Sequence, residues 1–373
     1  MTGLADLNEM LQLATKISAS DVHIKAYSVP VFRINGQLVK VDEFGRTDPA
    51  KIDNIVANLL DEKEKLEFQK EKEVDLSYSL SGVGRFRINV FRQRGSTGIV
   101  FRMIPFNIKS LDELHIPPIV KKISLMSRGL VLVTGATGSG KSTTMASMIK
   151  HINENKTCNV ITIEDPIEFL IRDKNSVINQ REIGTDTKGF KKALRSSLRQ
   201  DPDVIMIGEM RDIETIQIAL TAAETGHLVI STLHTLNASE TINRIISVFQ
   251  PHQQQQIRQQ LSSVMAASIS QRLLKMRDNR GRIPAIEILL GTEYVKEIIL
   301  DPQRFKELPE IIRKGRNTHG MQTFDQSIFS ILKKRLITEK EALKNATYPE
   351  DLKMKIKGVT VTDDSEWSNF TNG

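Results

Sequence analysis

The sequence predicts an α/β protein in which a phosphate-binding domain follows a smaller α+β domain. The first observation is the run GATGSGKS at 135–142, which has the spacing G-x-x-x-x-G-K-[ST]. The second is its context, because an apolar run at 130–133 indicates a buried strand and a helix-compatible run follows at 143–152. The third is a series of alternating segments before position 105, which is typical of antiparallel hairpins.

Length and composition are those of a globular protein with more than one core. A chain of 373 residues predicts about two or three domains. With no long apolar run and no basic-plus-apolar leader, we expect neither a membrane span nor a secretory signal. The single cysteine, Cys158, excludes an intrachain disulfide and a cysteine zinc cluster, and we interpret it as a small buried residue. The net charge of +7 is compatible with nucleic acid, an anionic membrane surface or nucleotide phosphates, and does not decide between them.

The predicted α+β domain consists of hairpins and two helices. Asn35-Gly36 is a strong hairpin turn signal. Helices are predicted at 4–17 and 49–69, and strands at 22–24, 31–34, 75–79, 85–92 and 98–104.

Arginines are concentrated on the second predicted hairpin of this domain. Strand alternation places Arg85 and Arg87 on one face and apolar Phe86, Ile88 and Val90 on the other. The residues leave three interpretations open, which are a nucleic-acid surface, arginines that contact a nucleotide bound elsewhere, and a solvated strand face. The other arginines of this hairpin are Arg92, Arg94 and Arg102.

Glycines and the helix start explain why the 135–142 run should bind phosphate. Glycine lets the backbone curl around an anion, and the first turn of the next helix offers unpaired N–H groups. Lys141 is expected to reach the β- and γ-phosphates, and the Ser142 hydroxyl to hold Mg²⁺.

Acidic and histidine residues follow further predicted strands at 160–163, 201–208 and 227–232. Glu164, Asp165 and Glu168 come after the first, Glu209 after the second and His234 after the third. Ligands bind at the carboxyl ends of strands in open α/β sheets, so these side chains are candidates for Mg²⁺ binding, water alignment or γ-phosphate sensing. Helix capping is the alternative for the acids, and a structural role is the alternative for the histidine.

The order of the motifs resembles one protein family. GATGSGKST, ITIEDPIE, DPDVIMIGEMRD and AAETGHLVISTLHT occur in this order. The chain is similar to the secretion-ATPase superfamily that drives type II secretion and type IV pili, and within it to the type IV pilus retraction ATPases. The runs SDVH at 20–23 and GMQT at 320–323 also resemble that branch, and the resemblance extends over roughly 4–357.

The resemblance implies a PAS-like N-terminal domain, a RecA-like P-loop ATPase domain with a helical C-terminal region, and ATP with Mg²⁺ at the domain junction. It implies Glu209, in an atypical Walker B motif, as the catalytic glutamate. The other implied catalytic residues are Glu164, His234, Arg87 and Arg102. The implied metal-binding set is Ser142, Glu164, Asp165 and Glu168. The implied nucleotide-binding set is Gly135, Ala136, Thr137, Gly138, Ser139, Gly140, Lys141, Ser142, Thr143 and His227.

The predicted domains follow from the resemblance and from the prolines Pro105, Pro117 and Pro118. Beyond His234 the spacing predicts helices at 239–249, 253–274, 293–300, 305–313, 323–334 and 338–345. The domains are a PAS-like domain at 1–104, a linker at 105–118, an ATPase core at 119–290, a helical region at 291–360 and a polar tail with Trp367 at 361–373.

The resemblance implies a homo-hexameric motor that couples ATP hydrolysis to pilus retraction and twitching motility. We expect it in the cytoplasm at the inner face of the cytoplasmic membrane, associated through partners with the inner-membrane platform protein of the pilus. One cysteine and a short region before the linker do not fit assembly or secretion ATPases, which usually carry a four-cysteine zinc insert and a longer N-terminal region.

Three alternatives remain open. The family's retraction segment is divergent here, at 293–299, and the 320–356 segment, with FDQS at 324–327, resembles an accessory retraction ATPase. A nucleic-acid-translocating RecA-like ATPase is the second, although we do not expect nucleic acid as a partner. A regulatory nucleotide binder without hydrolysis is the third, and intact Lys141, Glu209 and His234 argue against it.

Overall fold

A computed structural model describes residues 3–34, 36–104, 107–278 and 281–358. The chain divides into two compact units, the first formed by Met1–Asn107 with Glu168–Leu170 and the second by Ile108–Ile167 with Ile171–Gly373. Three features of the sequence-based prediction, at Asn35, Pro105 and Trp367, lie outside the described residues. The finer division into linker, core, helical region and tail stays a prediction.

The first unit is an antiparallel sheet with helices, which confirms the predicted α+β arrangement. The sheet order is β3-β2-β1-β6-β5-β4, and every pairing is antiparallel. The elements are α1 Gly3–Lys16, β1 Asp21–Lys25, β2 Val31–Ile34, β3 Gln37–Lys40, α2 Pro49–Leu59, α3 Glu62–Glu71, β4 Glu73–Leu80, β5 Gly84–Gln93 and β6 Ser96–Ile104.

The two faces of this sheet separate apolar from charged side chains. Phe86, Ile88 and Phe101 are fully buried and form one core with the apolar residues of α1 and α2. Successive strand residues point to opposite faces, so Arg87 and Arg102, which are direct partners across β5 and β6, share the other face. The predicted alternation along this hairpin is therefore confirmed.

The predicted helix at 49–69 is wrong in one respect, because the chain breaks at Leu60 and Asp61. A carboxylate oxygen of Asp61 accepts a hydrogen bond from Glu64 N at 2.7 Å, and Asp61 N donates one to a carboxylate oxygen of Glu64 at 2.8 Å. This reciprocal capping box begins a new helix, α3, and Leu60 before it is extended.

The second unit is a mostly parallel sheet covered by helices, which confirms the α/β class. Its order is β13-β12-β7-β11-β10-β8-β9, and only β13 runs antiparallel to its neighbour. The strands are β7 Gly129–Thr134, β8 Asn159–Glu164, β9 Val177–Glu182, β10 Val204–Ile207, β11 Leu228–Leu233, β12 Met265–Lys275 and β13 Arg282–Leu290. The helices are α4 Ile119–Ser124, α5 Lys141–Asn155, α6 Phe190–Ser197, α7 Ile213–Glu224, α8 Ala238–Ser247, α9 Pro251–Val264, α10 Glu293–Leu300, α11 Leu308–His319, α12 Phe324–Lys333, α13 Glu339–Asn345 and α14 Pro349–Ile356.

Strand β7 is buried on both faces. Leu130 and Leu132 belong to a core with residues of α7, α8 and α9, whereas Val131 and Val133 belong to a core with residues of α4 and α5. A parallel strand with two covered faces needs a continuous apolar run, which explains the sequence before the phosphate loop. Among the helices of the described ranges, none has the length and apolar character needed to cross a membrane.

The predicted helix at 253–274 is wrong over its second half. Helix α9 ends at Val264 and the chain continues directly as strand β12, which pairs with β7 on one side and β13 on the other. Burial between two strands outweighs local helical spacing here. Strands β9 and β13 and helices α4, α6, α7 and α14 were not predicted.

A carboxylate on β13 is half-buried within this unit. Glu287 accepts a hydrogen bond from the backbone N–H of Ala238, the first residue of α8, at 2.9 Å. Burial raises the pKa of Glu287 from 4.5 to about 7, against the opposing effects of that bond and of Arg272. Because the folded state then binds a proton that the unfolded chain releases, stability falls as pH rises from about 4.5 to about 7.

We predict that Glu287→Gln removes this pH dependence while keeping an acceptor for Ala238 N. Relative to wild type, the variant should gain up to about 3 kcal/mol of unfolding free energy between pH 5 and pH 8. Urea unfolding of the full chain across this range measures the difference. Glu339→Gln, at an exposed position, is the matched control and should follow wild type. A Glu287→Gln profile parallel to wild type would contradict the prediction.

Candidate active site

The loop after β7 wraps closely against strand β12. Gly135 has a φ of 140°, and a Cβ there would lie 2.5 Å from the carbonyl oxygen of Gln271 and 2.6 Å from Ser139 Oγ. Only glycine tolerates this approach. Gly140, with a φ of 93°, ends the loop and leads into α5 without a side-chain cap. The N–H groups in the first turn of α5 can therefore donate hydrogen bonds to an anion.

Lys141, the first residue of α5, is folded onto the same loop. Its Nζ donates to the carbonyl oxygens of Gly135 at 2.8 Å and Ala136 at 3.0 Å, and the residue is 8% exposed. Burial lowers the pKa of Lys141, and the negative charge of Glu209 opposes that shift. Of the next two residues, Ser142 is exposed and Thr143 is half-buried.

Glu209 and His234 meet at the carboxyl edge of the sheet. Thr232 of β11 connects this strand to the end of β10, because its Oγ1 donates to Gly208 O at 2.6 Å. The Glu209 carboxylate lies 3.2 Å from His234 Nε2 through one oxygen and 2.9 Å from Arg211 Nε through the other. The side chain of Glu209 is 17% exposed. Its carboxylate has two polar partners and lies at the carboxyl edge of the sheet, where the phosphate loop also begins.

The three predicted acidic residues do not form one cluster. Glu164 ends β8 and is buried, and its Oε1 accepts from Thr162 Oγ1 at 2.7 Å and from Gln180 Nε2 at 3.0 Å. Asp165 is exposed, and Glu168 is exposed and groups with the first unit. Within the ranges that the structure describes, no three His, Cys, Asp or Glu side chains are placed to hold a metal ion. The metal assignment stays a prediction.

His227 lies at the opposite end of β11 from His234. Its Nδ1 is 2.8 Å from Ala222 O and 3.2 Å from Thr225 Oγ1. The strand between the two histidines has six residues, which separates them by about 20 Å. The structure therefore does not bring His227 to the phosphate loop within this unit, and its predicted role in nucleotide binding stays a prediction.

Arg87 and Arg102 form part of a charged row in the first unit. Arg102 Nε donates to buried Asp21 at 2.9 Å, while its side chain remains 71% exposed. Arg33 approaches the other oxygen of Asp21 at 3.6 Å. One carboxylate thus faces two guanidinium groups, with Arg87 as the next residue across the sheet. Their roles in catalysis stay predictions.

Several residues around the site were given no role from the sequence. Arg211 belongs to the motif DPDVIMIGEMRD, and its position two residues after Glu209 is the sequence feature that could have indicated its contact with that carboxylate. Gln271 is 2% exposed and its Nε2 lies 3.4 Å from Ser139 O. It lies on β12, within the stretch that was predicted as a helix, so its position next to the loop was not expected. Gln180 and Glu182 lie on β9, which was not predicted, and only strand register reveals them.

Comparison with known proteins gives one family model and several full-length relatives. The model described as type II/IV secretion system protein matches residues 4–327. The type IV pilus retraction ATPase PilT of Pseudomonas aeruginosa is 41% identical over 346 residues, which is 93% of this chain and 99% of the relative. The type IV pilus ATPase PilU of the same organism is 38% identical over 368 residues, 99% of this chain and 96% of the relative.

A solved structure supports the same relationship. The pilus retraction motor PilT with bound ADP superposes with a TM-score of 0.82 at 42% identity, covering 93% of this chain and 98% of that one. These matches confirm the resemblance, the fold class and the ATPase class that the sequence motifs predicted.

Proposed function

The chain belongs to the type II/IV secretion system protein family, and we propose that it is a motor ATPase that couples ATP hydrolysis to type IV pilus retraction. The observation that carries this proposal is the 41% identity with a retraction ATPase over 99% of that relative's length. The site supports it, because a glycine loop with a buried lysine stands at the strand edge that also carries Glu209 and His234.

Nucleotide binding is assigned to the loop from Gly135 to Thr143. Its N–H groups and Lys141 Nζ suit the phosphates of ATP, since the ammonium group already binds two oxygen acceptors. The Ser142 hydroxyl and the carboxylates of Glu164 and Asp165 are the hard oxygen donors that Mg²⁺ prefers. Bound Mg²⁺ would neutralise phosphate charge. Glu168 and His227 complete the assigned set, on the resemblance alone.

Glu209 is assigned to the attacking water. One oxygen is beside Arg211 and the other beside His234, so the carboxylate has a fixed orientation at the strand edge. A carboxylate held in this way can accept a proton from water or align it toward the terminal phosphate. His234 then positions Glu209 and is assigned to sensing the terminal phosphate by a hydrogen bond.

Assembly and location are proposed from the family resemblance. We propose a homo-hexamer in the cytoplasm, at the inner face of the cytoplasmic membrane, that acts on the pilus platform protein. Ring motors need residues from more than one element to close on the nucleotide, and Arg87 and Arg102 are the proposed contributors from the first unit.

An accessory retraction ATPase is the second candidate. It is favoured by the match to PilU, which extends over 99% of this chain, whereas the match to PilT covers 93%. The two candidates share nucleotide chemistry and differ in whether retraction depends on this chain alone.

The test is a piliated strain that lacks this gene, complemented with wild type or Lys141→Ala. Loss of twitching with excess surface pili, rescued only by wild type, supports the main motor. Twitching that persists at reduced force supports the accessory motor. Unchanged pili and motility, or hydrolysis in the purified protein that requires DNA and is lost with added salt, would overturn the proposal.

We predict that Glu209→Gln separates nucleotide binding from chemistry. The amide keeps the shape of the side chain but cannot accept the proton, so turnover should fall by about 100-fold or more while ATP affinity changes little. Steady-state hydrolysis and equilibrium binding of a labelled nucleotide measure the two quantities, with Glu339→Gln as control. Weaker binding with unchanged turnover at saturation would instead identify Glu209 as a metal ligand.

We predict that Arg102→Ala lowers turnover by at least about 100-fold and affects ATP affinity far less, as loss of an arginine finger does. The matched control is Arg46→Ala, since Arg46 is an exposed arginine of the same unit. Mass in solution is measured alongside hydrolysis, so that a failure to assemble is recognised. Wild-type turnover in an assembled Arg102→Ala variant would assign this residue to a solvated strand face.

A further inference from the structure

Strand β9 presents two polar side chains to the end of β8. The strands are parallel, and the register places Gln180 opposite Thr162 and Glu182 opposite Glu164. Residues two apart in a strand share a face, so all four side chains lie on the same face near the carboxyl edge of the sheet. Glu182 is 4% exposed.

Gln180 uses both ends of its amide. Its Nε2 donates to Glu164 Oε1 at 3.0 Å, and its Oε1 accepts from the backbone N–H of Ile171 at 2.8 Å. The donor therefore orients a carboxylate, and the acceptor holds the chain that returns after the loop. A glutamine amide is suited to this arrangement because it is donor and acceptor at once.

Glu182 holds the other end of the same loop. Its Oε2 accepts from Ile167 N at 3.0 Å, and its own N–H donates to Asp186 at 2.7 Å. Residues 165–173 contain neither helix nor strand, so regular backbone pairing does not set their course. Side chains of β9 supply that restraint at both Ile167 and Ile171.

We propose that Gln180 is a positioning residue for ATP hydrolysis, which fixes the Glu164 carboxylate and couples it to the loop at 165–170. This inference rests on the proposed function, in which Glu164 acts at the nucleotide. Glu164 Oε1 accepts from Thr162 and Gln180 together, and the position of the carboxylate depends on both donors. Glu182 anchors the start of the loop at Ile167, and Gln180 links Ile171, just past the loop, to Glu164.

The test variant is Gln180→Glu in the full chain. It keeps the shape and the acceptor for Ile171 N, but it replaces the amide donor with a carboxylate that faces Glu164. Loss of a charge-assisted hydrogen bond predicts a decrease in kcat of at least about 10-fold at pH 8, with nucleotide affinity within about twofold of wild type.

The pH profile separates positioning from a purely structural defect. Two carboxylates at one site share a proton as pH falls, and the introduced carboxyl group then donates to Glu164 as the amide did. The ratio of variant to wild-type kcat should therefore rise between pH 8 and pH 5.5. Gln303→Glu, the same exchange at an exposed position, should show a constant ratio near one.

Gln180→Met provides a second variant in case Gln180→Glu does not fold. It removes both hydrogen bonds without adding charge, and it should lower kcat at every pH with no recovery in acid. Wild-type kcat in either folded variant, or an identical pH profile in Gln180→Glu and wild type, overturns the positioning role. Absence of hydrolysis in wild type overturns the proposed function instead, so the two failures are distinguishable.

Discussion

The close approach of Gly135 to the carbonyl of Gln271 is the constraint on which the rest of the second unit depends. Strand β7 is buried on both faces and paired on both edges, so it cannot shift to relieve a clash. The loop must therefore turn where no side chain fits. With β7 fixed, β11 and β10 follow in order, and their ends bring His234 and Glu209 to the same edge as the loop.

The parts of the fold that were predicted correctly are those whose information is local. The strand, glycine loop and helix around Lys141 read directly from consecutive residues, and so does the alternation of Arg87 with its apolar neighbours. One part that was wrong, the second half of the predicted helix at 253–274, depends on distant partners. Strand β12 has the spacing of a helix, and becomes a strand because β7 and β13 lie on its two sides. The break at Asp61 has a local cause, because the capping box is formed by Asp61 and Glu64, three residues apart.

The same distinction applies to the candidate site. Glu209 and His234 follow apolar strands and were identified by that position alone. The contact of Gln180 with Glu164 could not be predicted, because it depends on the register between β8 and β9, and the sequence of β9 does not indicate that register. His227 shows the converse, because a motif that includes it does not place it at the loop edge of this unit. Sequence indicates which residue types are available, and register decides which of them act together.

The two bonds from Lys141 to loop carbonyls have a consequence for selectivity. The ammonium group has three N–H donors and two of them are engaged by carbonyls, so one donor and the positive charge remain for an incoming anion. A small singly charged ion such as chloride offers little beyond what the carbonyls already provide. A polyphosphate brings several charged oxygens that engage the helix N–H groups at the same time. The loop is therefore expected to favour ligands with several charged oxygens over small singly charged ions.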